Sequence, residues 1–330
     1  MIKDSSYKKH IPTVILAIIL IIYPFASGNN YHINVMTLVG LYTMIVVGLN
    51  LLMGYAGQIS LGHAGFFGIG AYCSGLLNVK MGLPPWISAI IAIIFTAGIA
   101  YFIGIPTLKL KGHYLAMATL GFGEVVHVIL SKMDWLTDNP DGLADIKPFG
   151  LFGIKFDSSF VMGQYFMAWI IAVAILVISM NITNSRVGRA FKAIHGSETA
   201  ASSMGVNIAK YKVQVFVLSA VYAAVAGCLY AHFRQFIAPS IFQLHTSITL
   251  VTMVVIGGQG NIWGAVLGTV LLTWLPEWLT VAEEYDIMFY GILLMVVMIF
   301  MPDGLVGRLT TLFHRLWSRF SPRTQAEENG

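Results

Sequence analysis

Apolar runs about 20 residues long recur along nearly the whole chain, and nothing constrains its fold more. "LPPWISAIIAIIFTAGIAYFIGI" (83–105) contains no charged residue, and a helix needs roughly 20 such residues to cross the hydrocarbon core of a bilayer. Ten runs of this kind are expected as spans, at 11–27, 34–53, 59–79, 84–105, 113–131, 161–181, 213–233, 244–257, 261–279 and 286–301. They are too long and too continuously apolar for barrel strands, so the expected class is an all-α polytopic membrane protein. The charge content agrees, because charged residues make up only 10% of the 330 against about 25% in a soluble domain. No polar block is long enough for a separate soluble domain, so 1–330 reads as one transmembrane domain.

Basic residues set the expected orientation. The N-terminus, 106–112, 182–212 and 302–330 hold 14 of the 19 lysines and arginines. By the positive-inside rule these segments face the cytoplasm, and with ten spans both termini do. The first run also has features of a cleavable leader, with Lys3, Lys8 and Lys9 before an apolar core and "FAS" after it. It ends in Tyr-Pro-Phe rather than in small residues, so an uncleaved anchor is expected. The 14-residue run 244–257 is the weakest span. "GGQGN" (257–261) separates it from the next, and a short or partly re-entrant helix is expected there.

Glycine is concentrated where helices should be. "LMGYAGQISLGHAGFFGIGAY" (52–72) carries six glycines, each costing about 1 kcal/mol of helix propensity against alanine. Numbered as a helix from Ser60, it places Ser60, Ala64 and Gly68 on one stripe, continued by Ala71 and Gly75. Gly260, Gly264 and Gly268 form a second stripe, spaced GxxxGxxxG. In lipid, small residues at this spacing let helix backbones approach closely. Tight packing accounts for both stripes, and so does a path between helices that must move. Gly57-Gln58 and Gly258-Gln259 each precede a Gly-rich helix, which fits either a duplication or chance similarity.

The chemistry-bearing residues are few. There is no GxxxxGK[ST], HExxH, GxSxG or CxxC, and no two histidines stand three or four residues apart. No metal, cofactor or nucleic-acid site is expected. "TDNPDG" (137–142) departs from a calcium loop at its first position, Thr137, and its twelfth, Pro148. Cys73 and Cys228 fall in apolar runs and read as small buried residues. Glu124 stands inside a span with His127 on the same helical face. Such a carboxylate either lines a pathway or makes a polar contact between helices. His63 reads as packed or hydrogen-bonded.

The 182–212 loop is amphipathic. Two short helices joined near Gly196-Ser197 are expected, with Ser197 as cap, Glu198 in the first turn and Gly205 at the end. Ala200, Ala201, Met204 and Val206 would be exposed apolar residues, which suggests docking onto another protein.

"GLNLLMGYAGQISLGHAGFFGIGAY", "LAMATLGFGEVV", "SETAASSMGVNIAKYKVQVFVLSAVYAAVAGCLYA", "VVIGGQGNIWGAVLGTVLLTWLPE" and "GILLMVVMIFMPDGLVG" together resemble the permease subunit of branched-chain amino acid ABC importers of the Liv type, M-like, over 34–307. The resemblance implies the ABC importer permease fold in a bacterial inner membrane and a non-enzymatic role in passing branched-chain amino acids. It implies four partners: a second, paralogous permease, two cytoplasmic ATPase subunits and a periplasmic substrate-binding protein. It implies that Glu198, Ala200, Ala201 and Gly205 form the ATPase-docking segment. The residues themselves, apart from any resemblance, make Gln58, Ser60, His63, Gly68, Glu124, His127, Gln259, Gly260, Gly264 and Gly268 candidates for helix packing or for the pathway. Family members carry "TGG" in the outer loop, where this chain has Thr137-Asp138-Asn139. Similar permeases pass urea, short amides or other amino acids, and an ion-coupled secondary transporter built around Glu124 is a further reading.

Overall fold

A computed structural model of the chain describes residues 4–132, 142–151, 154–157, 159–278 and 295. The described residues form helices α1 (Asp4–Ser27), α2 (Asn30–Asn50), α3 (His63–Met81), α4 (Pro85–Thr107) and α5 (His113–Lys132). A small antiparallel pair follows, β1 (Gly150–Leu151) with β2 (Ile154–Lys155), and then α6 (Val161–Asn184). Helices α7 (Arg186–Gly196), α8 (Glu198–Ser203), α9 (Ile208–Arg234), α10 (Leu244–Gly257) and α11 (Ile262–Trp278) complete the description. Among the described residues, five stretches are long and apolar enough to cross a membrane: Asn30–Tyr55, Pro85–Thr107, His113–Lys132, Val161–Asn184 and Ile208–Arg234. Apart from Met295, the expected span 286–301 lies outside the described residues, as do the tail 302–330 and Thr137–Asn139.

Helix ends follow local chemistry. The Asn29 side chain accepts from Tyr31 N–H at 2.9 Å and starts α2. Asn207 does the same for α9 by accepting from Lys210 N–H at 3.0 Å. Gly82, at φ +66°, closes α3 in the left-handed region that suits glycine. At 1.5 Å per residue, 14-residue α10 is about 21 Å long, short of the roughly 30 Å core. It turns straight back into α11, so the pair is a helical hairpin.

Helices α2 and α9 are the centre of the bundle. Along α2, Met44, Ile45, Val46, Val47 and Leu49 are fully buried in succession, so the helix is enclosed on all sides. The most extensive helix pairing is α3 with α9. The outer face of α4 is the opposite case: Ile87, Ile90, Ile94, Phe95 and Phe102 are all exposed. A continuous apolar surface of this size is a lipid-facing wall.

Two expectations about glycine are corrected. The helix numbered from Ser60 begins at His63. Gly57 has φ +67°, and Gly62 approaches the backbone of Thr119 so closely that a Cβ would overlap its carbonyl oxygen. Ser60 therefore lies in the entering loop, off the stripe. Gly260 likewise has φ +75° and precedes α11, so only Gly264 and Gly268 of the GxxxGxxxG set stand on the helix.

Candidate functional site: a hinged pair of loops beneath a close helix crossing

The crossing of α3 and α9 is built from small residues. A methyl group on Gly70 would lie 2.6 Å from the backbone of Ala224, and one on Gly227 would overlap the carbonyl of Phe67. Gly70 and Gly227 are not on the expected stripe, and they carry the nearest backbone approach of the pair. Gly68, which is on it, faces the ring of Phe242 and the side chain of Leu130. The hairpin of α10 and α11 repeats the device, since a Cβ on Gly264 would overlap the carbonyl of Gly257, and one on Gly268 that of Met253.

Two buried histidines cross-link α3 and α9. The ring of His63 lies 3.0 Å from Ser60 Oγ through Nδ1 and 3.0 Å from Ser219 Oγ through Nε2. Ser219 donates to the Phe216 carbonyl, so it accepts from His63 Nε2–H, and Nδ1 accepts from Ser60. His232 is reversed: Nδ1–H donates to the Lys147 carbonyl at 2.6 Å, and Nε2 accepts from Ser74 Oγ at 2.8 Å. Each ring is satisfied as a neutral imidazole, with the tautomer assigned from its partners. His63 pairs with Ser219 and Ser74 with His232, so the partners advance together along both chains and the two helices run parallel.

At one end of this crossing α2 changes pitch. Leu51–Tyr55 forms a π-helical turn, a local widening that recurs at functional sites. Asn50, fully buried, reaches from this turn to the α10–α11 loop. Its carbonyl accepts from Gly260 N–H at 2.9 Å, and its amide donates to the Asn261 carbonyl at 2.7 Å. Gly54 sits directly against the Gly260 amide, where a Cβ would overlap it. The π-turn that precedes Gly57-Gln58 is thereby clasped to the loop that carries Gly258-Gln259. The two glutamines differ: Gln58 is buried and donates to the Ala56 carbonyl at 2.9 Å, while Gln259 is exposed.

The clasp is joined to the short helices. His195, in the last turn of α7, donates from Nδ1 to the Gly54 carbonyl at 2.9 Å. Ser197 caps α8 by accepting from Ala200 N–H, and Gly205 turns out of it at φ +82°. Ala200 and Met204 are exposed, Met204 by 84%. Ala201 is buried, which corrects its expected exposure, because Val206 N–H bonds back to its carbonyl and closes the turn over it. Glu198 pairs within the chain, at 2.5 Å from Lys212 and 3.6 Å from Lys111. Lys212 is only 3% exposed, and a buried ammonium needs such a partner.

Glu124 lies on the exposed face of α5 with Gly121, Val125 and Val128, while Leu115, Thr119, Val126 and Leu130 form the inner face. His127 is half-buried and faces Ser131. Among the described residues no hydrogen bond or ion pair joins Glu124 to His127. Sequence reasoning passed over Asn50, Ser74, His195, Ser219 and His232. Asn50, inside the run 34–53 rather than at its edge like Asn34, was a usable signal, since lipid penalises an unpaired amide. His195 carried no such mark, because its partner is a backbone carbonyl 141 residues away.

Residues 31–301 match the model of a family described as branched-chain amino acid transport system / permease component. The chain is 32% identical over 326 residues to the high-affinity branched-chain amino acid transport system permease protein LivM of Escherichia coli K12, covering 92% of this chain and 76% of that protein. It is 28% identical over 300 residues to the permease LivH of the same organism, covering 83% and 94%. It is 25% identical to a probable LivM of Methanocaldococcus jannaschii, covering 81% and 90%. No solved structure matches.

Proposed function

The chain belongs to the family of branched-chain amino acid transport permeases, and from that premise we propose that it forms half of the translocation pathway of an ATP-driven importer for branched-chain amino acids. A second, paralogous permease supplies the other half. Its existence is supported by the similarity of this one chain to both LivM and LivH of a single organism. Two separate cytoplasmic subunits hydrolyse ATP, and a periplasmic binding protein delivers the substrate. The protein lies in a bacterial inner membrane with about ten spans and both termini cytoplasmic, as the distribution of basic residues favours.

The observation that carries the mechanism is the His195–Gly54 hydrogen bond. Exposed Ala200 and Met204 present α8 to the ATPase. A shift of α7 and α8 then reaches Gly54 through His195. From Gly54 and Asn50 it passes to the Gly260 loop, and so to the α10–α11 hairpin. The π-turn is where α2 yields, because its widened hydrogen bonds hold it less firmly than an α-helical turn. Small residues at the α3–α9 and α10–α11 crossings let backbones slide without unpacking large side chains.

The test is uptake by the assembled complex. A tag on this chain should co-purify a second permease and an ATPase, and proteoliposomes given binding protein should accumulate leucine only with ATP. Leucine uptake driven by a proton gradient without ATP would instead establish a secondary transporter.

A further inference from the structure

A groove of about 660 Å³ opens on the outer surface between α4 and α9, walled by Ile105, Leu108, Val213 and Val217, with Lys109 and Lys210 among its lining. Lys109 follows the last turn of α4, and Lys210 stands in the first turn of α9, so both mark the same boundary of the bundle. The groove continues the exposed isoleucine face of α4, the wall read above as facing lipid. The four lysines here divide into two pairs. Lys111 and Lys212 share Glu198. Lys109 and Lys210 are exposed, and among the described residues no carboxylate lies within ion-pair distance of either.

Two uncompensated cations at the end of an apolar, laterally open groove require an amphipathic anion, charged at one end and hydrocarbon along the rest. We propose that this groove is a binding site for one acidic phospholipid of the surrounding bilayer. Its phosphate sits between Lys109 and Lys210, and an acyl chain lies along Ile105, Val213 and Val217. The lysine stems lie along the apolar walls and carry their ammonium groups to the headgroup level. The paired lysines on Glu198, Lys111 and Lys212, stand two residues further along each segment.

The experiment is lipid retention by the purified chain, read by native mass spectrometry from detergent supplemented with phosphatidylglycerol or phosphatidylcholine. The wild-type chain should keep one phosphatidylglycerol and no phosphatidylcholine. Lys109→Gln with Lys210→Gln should weaken that retention about thirtyfold, the effect of two lysines at an anionic surface. Lys132→Gln, at the far end of α5, should leave it unchanged. Val217→Trp fills the apolar wall with both lysines intact and should also displace the lipid. Millimolar inorganic phosphate should not compete. The proposal is overturned if the double variant keeps the lipid, if phosphatidylcholine is held equally, if Val217→Trp retains it, or if phosphate displaces it.

Discussion

Asn50 accepts a 2.9 Å hydrogen bond from the backbone of Gly260, 210 residues further along the chain. Its amide donates to the next carbonyl but one of the same loop, that of Asn261, at 2.7 Å. One side chain thus satisfies both a donor and an acceptor of a turn held beneath the bundle. Asn50→Leu leaves both unpaired in a buried place. A loss of about 1–3 kcal/mol of stability is expected, read as a lower melting temperature of the detergent-purified chain. An unchanged melting temperature would mean that water replaces the amide.

Gly264 lies against Gly257 of the same chain, not on a free face. Gly264→Leu should therefore disrupt the chain when it is expressed alone, by more than the 1–3 kcal/mol typical of overpacking, because the obstacle is backbone. Leu267 is 46% exposed, and Leu267→Met should be neutral. Size-exclusion profiles of the two variants, each without any partner, separate this from a defect of assembly.

His195→Ala removes the donor to Gly54 but touches no fully buried side chain. Expression and melting should change little. Leucine uptake per ATP hydrolysed should fall about fivefold, since a hydrogen bond of about 1 kcal/mol links the moving parts. Coupled uptake equal to wild type would remove His195 from the transmission route.

Glu198 is committed to Lys212 and Lys111. Glu198→Gln should destabilise the chain by about 2 kcal/mol, less than for a fully buried pair because Glu198 is 24% exposed. The joint variant Glu198→Gln with Lys212→Met should recover most of the loss in a melting experiment. Gly205→Pro leaves this ion pair in place. It should reduce ATPase co-purification and uptake, because residue 205 needs φ +82°.

Ser203 and Ser159 are both exposed. In a background without Cys73 and Cys228, a membrane-impermeant maleimide added to intact cells should label Ser159→Cys and spare Ser203→Cys. Labelling of the second would invert the proposed orientation.

The one-dimensional pattern of apolar runs was enough for the helical membrane class, and the family followed from motifs spread over nearly the whole chain. Ser197, Glu198 and Gly205 marked the ends of a short helix, because capping involves residues within one turn of each other. The turn between α10 and α11 was legible in "GGQGN" for the same local reason. Hydrophobicity decides whether a segment enters lipid, and that is a sum over neighbours in sequence.

Contacts between helices were not legible. The stripe running through Ser60 looked regular in sequence, yet Gly57 and Gly62 end it before the helix begins. Gly70 and Gly227 carry the closest approach of α3 and α9, although nothing in sequence distinguishes them from the other glycines. Glu198 was read only as a first-turn residue of the docking segment, and its two lysines arrive from α9 and from the segment after α4. Composition and local spacing determined that the chain is a bundle of membrane helices with a capped pair of short helices between two of them. Only the tertiary structure decided which small residues touch, which polar groups pair, that Asn50 ties the α10–α11 loop to α2, and that His195 ties α7 to the π-turn. Hydrogen bonds and backbone contacts act over about 3 Å between residues up to two hundred positions apart, and sequence spacing holds no record of that distance.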